Sequence, residues 1–120
     1  MVIKMKIKYS TRIVSDMDKS IDFYRLLGFE VEETINPPNG SVITLMKGEG
    51  DVLIELIKDN VNSPGLFATG MLVEDINKEV ESLKNKGIKF SLEPTEISVG
   101  YMAMFQDPDG INIVIIEHSK

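Results

Sequence analysis

Apolar and polar residues alternate along residues 5–14, with Tyr9, Thr11 and Ile13 pointing one way and Ser10, Arg12 and Val14 the other, which reads as a strand. At Asp16 the period changes. Met17, Ile21, Tyr24 and Leu27 recur at helical spacing, with Phe23 and Leu26 widening the apolar stripe. The pattern predicts a helix over 17–27, capped by Asp16 and stopped by Gly28. Alternation then returns in three strands near 29–35, 41–47 and 51–58, with turns at Asn36-Pro37-Pro38-Asn39-Gly40 and Gly48-Glu49-Gly50-Asp51. The polar, breaker-rich stretch 59–65 reads as a linker.

Beyond the linker the succession starts again. A strand at 66–73 leads to a helix near 75–86, capped by Asp75 and stopped by Gly87. A short strand at 88–92 and strands at 99–106 and 111–117 follow. Gln106-Asp107-Pro108-Asp109-Gly110 is a tight turn, because proline presets φ and Asp-Gly tolerates left-handed positions. Residues 14–31 superpose on 73–90 without a gap at an offset of 59 residues. Val14/Val73, Asp16/Asp75, Lys19/Lys78 and Gly28/Gly87 are identities, and Met17/Ile76, Ile21/Val80, Asp22/Glu81, Arg25/Lys84 and Phe29/Ile88 match in type. Two copies of one unit are fused, each a strand, a helix and three strands.

Composition narrows the chemistry. A chain of 120 residues with 42% apolar and 27% charged residues is one ordinary globular domain, 1–120, with one module over about 5–58 and the other over about 66–117. The absence of cysteine excludes disulfides, thiolate metal sites and a cysteine nucleophile. The opening alternates apolar and basic residues and lacks the continuous apolar run of a signal peptide, and no later stretch is apolar enough to span a bilayer, so a cytoplasmic protein without a membrane partner is expected. A net charge of −6 argues against a nucleic-acid partner and modestly favours a cationic ligand. Lys78, Lys84, Lys86 and Lys89 are interleaved by Glu79 and Glu81, the mark of a solvated helix face. No histidine stands where it could activate a serine, and no glycine loop suits a phosphate.

The doubled module, with Val14-Ser-Asp-Met-Asp-Lys-Ser-Ile-Asp-Phe-Tyr24, Leu27-Gly-Phe29 and Asp107-Pro-Asp-Gly110, resembles the vicinal oxygen chelate superfamily of glyoxalases, bleomycin-resistance proteins and dioxygenases. The resemblance covers essentially the whole chain. It implies an α+β fold of two βαβββ modules in tandem, whose eight strands form a half-open, barrel-like sheet with the helices outside. It also implies a ligand on the concave face and, in the metal enzymes, four chelating side chains. Those positions fall here on Tyr9, Glu55, Ala68 and Val114, so only Glu55 is of ligand type. One carboxylate cannot hold a divalent ion, and the only histidine, His118, sits in the terminal tail. No metal and no cofactor are expected.

Strand alternation puts Glu55 on one face with Leu53 and Ile57, and Val52, Ile54 and Leu56 on the other, under the helices. A carboxylate on an apolar face tends toward a raised pKa, useful for proton transfer or for gripping a cation; a wet remnant of a lost metal site is the competing explanation. Alternation and the family pattern together aim Tyr9, Thr11, Ile57, Ala68, Gly70, Met102, Met104, Asn112 and Val114 at the ligand. Met71, Met102 and Met104 also suit ordinary core, and Tyr101 and Phe105 face either the ligand or the second helix. Arg12 falls on the helix side, where it either snorkels to the edge or is turned toward the ligand by a bulge.

The expected function is metal-independent binding of a small cationic or aromatic molecule. The alternatives are a lyase- or isomerase-type enzyme with Glu55 as general base, and an interaction module with a vestigial cleft. A homodimer is expected, since a half-open sheet leaves edges and apolar surface to cover.

Overall fold

The computed structural model describes residues 5–119; the start of the alternating opening, residues 1–4, lies outside it. The elements are β1 (Lys6–Ile13), α1 (Met17–Leu26), β2 (Glu30–Ile35), β3 (Val42–Lys47), β4 (Leu53–Lys58), β5 (Gly65–Leu72), α2 (Ile76–Asn85), β6 (Phe90–Ile97), β7 (Gly100–Gln106) and β8 (Asn112–His118). The chain is thus α+β, with βαβββ twice in tandem, as the repeat requires. The described residues divide into two compact units, one of Tyr9–Phe67 and one of 68–119 together with 5–8. No helix among the described residues is long and apolar enough to cross a membrane.

In the Tyr9–Phe67 unit the strand order is β2-β3-β4-β1, with β1 parallel to β4 and the other pairs antiparallel. Helix α1 begins where Asp16 turns extended and its Oδ1 accepts the Lys19 N–H at 3.1 Å. Under the helix, Met46, Ile54 and Leu56 are buried against Val14, Met17, Ile21, Tyr24, Phe29 and Val31. The apolar stripe of α1 is narrower than its sequence suggests. Met17, Ile21 and Tyr24 face the sheet, whereas Phe23, Leu26 and Leu27 are 54, 83 and 60% exposed. The reason is angular: at about 100° per residue, positions 23, 26 and 27 lie round the cylinder from 17, 21 and 24.

The second unit repeats the plan as β5-β8-β7-β6, with β5 parallel to β8. Asp75 caps α2 by accepting the Lys78 N–H, and Glu117 on β8 accepts the Ile76 N–H at 2.9 Å, a second anchor for the same helix start. Here α2 buries Ile76, Val80 and Leu83 against Val73, Ala103 and Ile115, with Met71, Phe90 and Phe105 packed alongside. Met71 and Phe105 are therefore core under the helix. In the final turn, Asp107 Oδ1 accepts the N–H groups of both Asp109 and Ile111.

One strand departs from expectation. β6 runs over eight residues, beyond the 88–92 that its sequence suggests, and contains Pro94. In this unit β6 is the outermost strand, so Pro94 removes no ladder bond on its outward side. The pairing with β7 slips between Phe90 and Leu92 and again between Leu92 and Thr95, the irregularity that accommodates it.

Candidate functional site

The site is built around Glu55 in the Tyr9–Phe67 unit. On β4 it stands opposite Thr11 of β1 and opposite Leu45 of β3, with Leu53 and Ile57 before and after it on the same face. Tyr9 stands opposite Leu53, so Tyr9, Thr11, Glu55 and Ile57 share one face, away from α1. Thr11, Leu45 and Leu53 are buried around the carboxylate. Burial raises the Glu55 pKa above the ordinary glutamate value, and the Thr11 hydroxyl, which donates to Glu55 Oε1 at 2.6 Å, lowers it without cancelling the rise. The result is a carboxyl group readier than most to hold a proton.

Tyr9 carries the second perturbation. Its pKa is raised first by burial, then by the charges of Glu55, Glu33 and Glu32. Its phenol therefore stays neutral and able to donate a hydrogen bond. Glu33 reaches this face because of a bulge in β2. Val31 pairs with Met46 on the helix side, but the register shifts by one, and Glu33 pairs with Leu45 on the Glu55 side. Strict alternation would have put Val31 and Glu33 on the same face, so Glu33 was not expected near the site. A bulge leaves no clear mark in sequence. Three carboxylates bearing on one tyrosine make this face electronegative.

Arg12 is not part of it. Its guanidinium lies on the helix side, with Nη1 donating to the Tyr24 hydroxyl at 2.7 Å, Nη2 donating to Ser10 Oγ at 3.1 Å, and its charge 5.6 Å from the Tyr24 ring centroid. Among the described residues its buried Nε finds no hydrogen-bond partner.

The remaining candidates belong to the other unit. Ala68 pairs with Asn112 and Gly70 with Val114 across β5 and β8, and Met104 stands opposite Val114 on β7, all on the face away from α2. Met102, opposite Ile116, shares that face. Gln106 Nε2 donates to Asn112 Oδ1 at 3.3 Å. Tyr101 lies on the helix side of the sheet and is exposed.

A divalent metal does not fit these residues. Ala68 and Val114 offer no donor and Tyr9 only a neutral phenol, which leaves Glu55 as the one side chain of ligand type among the four positions. Among the described residues no three His, Cys, Asp or Glu side chains are grouped so as to hold an ion.

The fold is shared with solved structures over nearly the whole chain. Methylmalonyl-CoA epimerase of Mycobacterium tuberculosis superposes with a TM-score of 0.83 at 19% identity, covering 96% of this chain and 89% of that one. A hypothetical protein of Bacillus halodurans superposes at 0.86 and 17% identity, covering 98% and 96%. In sequence, the uncharacterized protein YurT of Bacillus subtilis is 32% identical over 94% of this chain and 99% of its own length. A probable chloroplastic lactoylglutathione lyase of Arabidopsis thaliana is also 32% identical over 87% of this chain, which spans only 33% of that longer protein. The family model of the Glyoxalase/Bleomycin resistance protein/Dioxygenase superfamily matches residues 6–115, and the chain belongs to that superfamily.

Proposed function

We propose that this chain binds a small organic cation, without a metal ion, on the face built by Tyr9, Thr11, Glu55 and Ile57. The observation that carries this reading is the Glu55 carboxylate set among Thr11, Leu45 and Leu53 on one face, with Glu33 turned to the same face by the bulge in β2. A bound cation would neutralise Glu55, relieve the strain of burying its charge, and stack on the Tyr9 ring. The apolar neighbours Leu45, Leu53 and Ile57 would hold the ligand's body, while Thr11 fixes the carboxylate's orientation.

The test is calorimetry and thermal-shift titration with tetraethylammonium, benzyltrimethylammonium and planar aromatic cations. Saturable binding is expected with at least one of them, weakening as pH falls and Glu55 takes up its proton, and lost in Glu55→Gln. Equal binding by Glu55→Gln would sink the reading, and so would a panel with no binder at all.

The raised pKa of Glu55 supports a second reading, in which it removes a proton from a carbon acid as general base. A relative described as a probable lactoylglutathione lyase and the structural likeness to a methylmalonyl-CoA epimerase make proton transfer at carbon the class to assay. The discriminating measurement is exchange of substrate C–H for deuterium in heavy water, with methylmalonyl-CoA and the hemithioacetal of glutathione and methylglyoxal as substrates. Exchange that depends on Glu55 would favour catalysis; binding of cations without exchange would favour the first reading.

A further inference from the structure

Each unit serves as an internal control for the other at the Glu55 face. At offset 59, Thr11 and Glu55 correspond to Gly70 and Val114. The strand registers agree: Thr11 stands opposite Glu55 across β1 and β4, as Gly70 stands opposite Val114 across β5 and β8. The fold therefore needs neither a hydroxyl nor a carboxylate at this pair of positions. One copy nonetheless sets Thr11, only 4% exposed, so that its hydroxyl donates to Glu55 Oε1 at 2.6 Å. Burial drives the carboxyl toward its neutral form, and the Thr11 bond pulls it back toward the charged one. A buried carboxylate that the fold does not require points to function. Its two oxygens differ. Oε1 accepts from Thr11, whereas no described residue, Tyr9 included, donates to Oε2.

We infer that this face takes a protonated amine carrying an N–H, and that Thr11 is the positioning residue that selects it. The inference rests on the cation-binding reading above and names the class of cation. A ligand that covers the face removes Oε2 from water, and a charged acceptor left without a donor costs more than the charge attraction alone restores. Leu45, Leu53 and Ile57 around it have no side-chain donor to give, so the donor comes from the ligand. A quaternary ammonium brings charge without an N–H and leaves Oε2 unpaired. A protonated amine brings both, in one charge-assisted bond. The nitrogen's other valences face those same apolar side chains, which accept nothing, so carbon substituents suit them. Thr11 matters because a hydrogen bond is directional, whereas attraction between charges is indifferent to how the carboxylate is turned. By holding Oε1 it fixes the carboxylate plane, and with it the direction in which Oε2 accepts, before the ligand arrives.

The test is isothermal titration calorimetry of the full chain, at one near-neutral pH, with dimethylbenzylammonium and benzyltrimethylammonium. These ligands differ only by a methyl group in place of the N–H. Wild type is expected to bind the N–H ligand about tenfold or more tightly. In Thr11→Val that preference should shrink to about twofold, through weaker binding of the N–H ligand alone, and Thr11→Ser should restore it. A threonine that merely supported the fold would weaken both ligands alike in Thr11→Val; that result overturns its positioning role, as does a preference left unchanged. Equal affinities in wild type, both lost in Glu55→Gln, overturn the inference and leave the cation-binding reading standing. Binding of neither ligand overturns both. The wild-type comparison needs no variant, so it decides the ligand class even where Thr11→Val fails to fold.

Discussion

Arg12 and Tyr24 form a polar insertion in an apolar layer, and the repeat shows what the fold uses otherwise. Their counterparts at offset 59 are Met71 and Leu83, which pack together in the core beneath α2. Tyr24→Leu removes the acceptor of a 2.7 Å bond from a guanidinium and the ring 5.6 Å beneath the charge, and it strands a group whose Nε already lacks a partner. A hydrogen bond to a charged donor contributes about 1.5–3 kcal/mol and the cation–π contact about 0.5–1, so the single change should cost about 3 kcal/mol. Arg12→Met leaves the Tyr24 hydroxyl without that donor and should cost about 1–2 kcal/mol. The double variant recreates the Met–Leu pair and should lie within about 1 kcal/mol of wild type, since replacing both partners by apolar groups avoids the unpaired polar atom. The coupling energy is then about 3 kcal/mol or more. For a chain of 120 residues, 1 kcal/mol shifts the melting midpoint by roughly 4 °C, so Tyr24→Leu alone should melt about 12 °C lower. Urea denaturation of the four proteins, followed by far-UV circular dichroism at one fixed concentration, closes the cycle. Costs that add within about 0.5 kcal/mol would refute the reasoning, because independent sites behave that way.

Three further outcomes follow from particular atoms. Gly100 has φ of +145°, and a Cβ there would collide with the Glu117 carbonyl oxygen, so Gly100→Ala should cost about 3 kcal/mol or more in urea denaturation. Gly87→Ala, with φ of +96° and open space around the new atom, should cost only about 1 kcal/mol. The folded pKa of Glu55 lies above the unfolded value of 4.5, so the folded state holds the proton longer and stability falls as pH rises through that interval. Wild type and Glu55→Gln should therefore be equally stable in acid, with the variant gaining as pH climbs above about 4.5 and the gain levelling off beyond the folded pKa. A gap that is independent of pH would contradict the raised pKa. Finally, Asp75→Ala should destabilise by about 1 kcal/mol through loss of the N-cap bond to Lys78, and Glu117→Gln by less, since an amide oxygen still accepts from Ile76.

What the sequence determined by itself is what local physics controls. Helical spacing, aspartate caps at 16 and 75, glycine stops at 28 and 87 and the Asp107–Gly110 turn are properties of neighbouring residues, and each appears where its chemistry requires. The repeat multiplied their force, because an element legible in one copy constrains the other. The face shared by Glu55, Leu53 and Ile57 was legible for the same reason: side chains in an unbroken strand alternate with a period of two.

Only the tertiary structure decided matters that depend on pairing across the sheet. The bulge between Val31 and Glu33 turns Glu33 toward Tyr9, and it exists only as a register against β3. The same holds for Pro94, which strand chemistry excludes from a paired interior and which an outer position allows. Arg12 looked anomalous until Tyr24, twelve residues away, supplied an acceptor and a ring. Phe23, Leu26 and Leu27 fitted a core stripe by composition, yet a helix has only one side to bury, and the sheet took Met17, Ile21 and Tyr24. The apolar face of β4 already suggested a raised pKa for Glu55, but the Thr11 hydroxyl that partly offsets it comes from β1, 44 residues away, and only strand pairing brings it there.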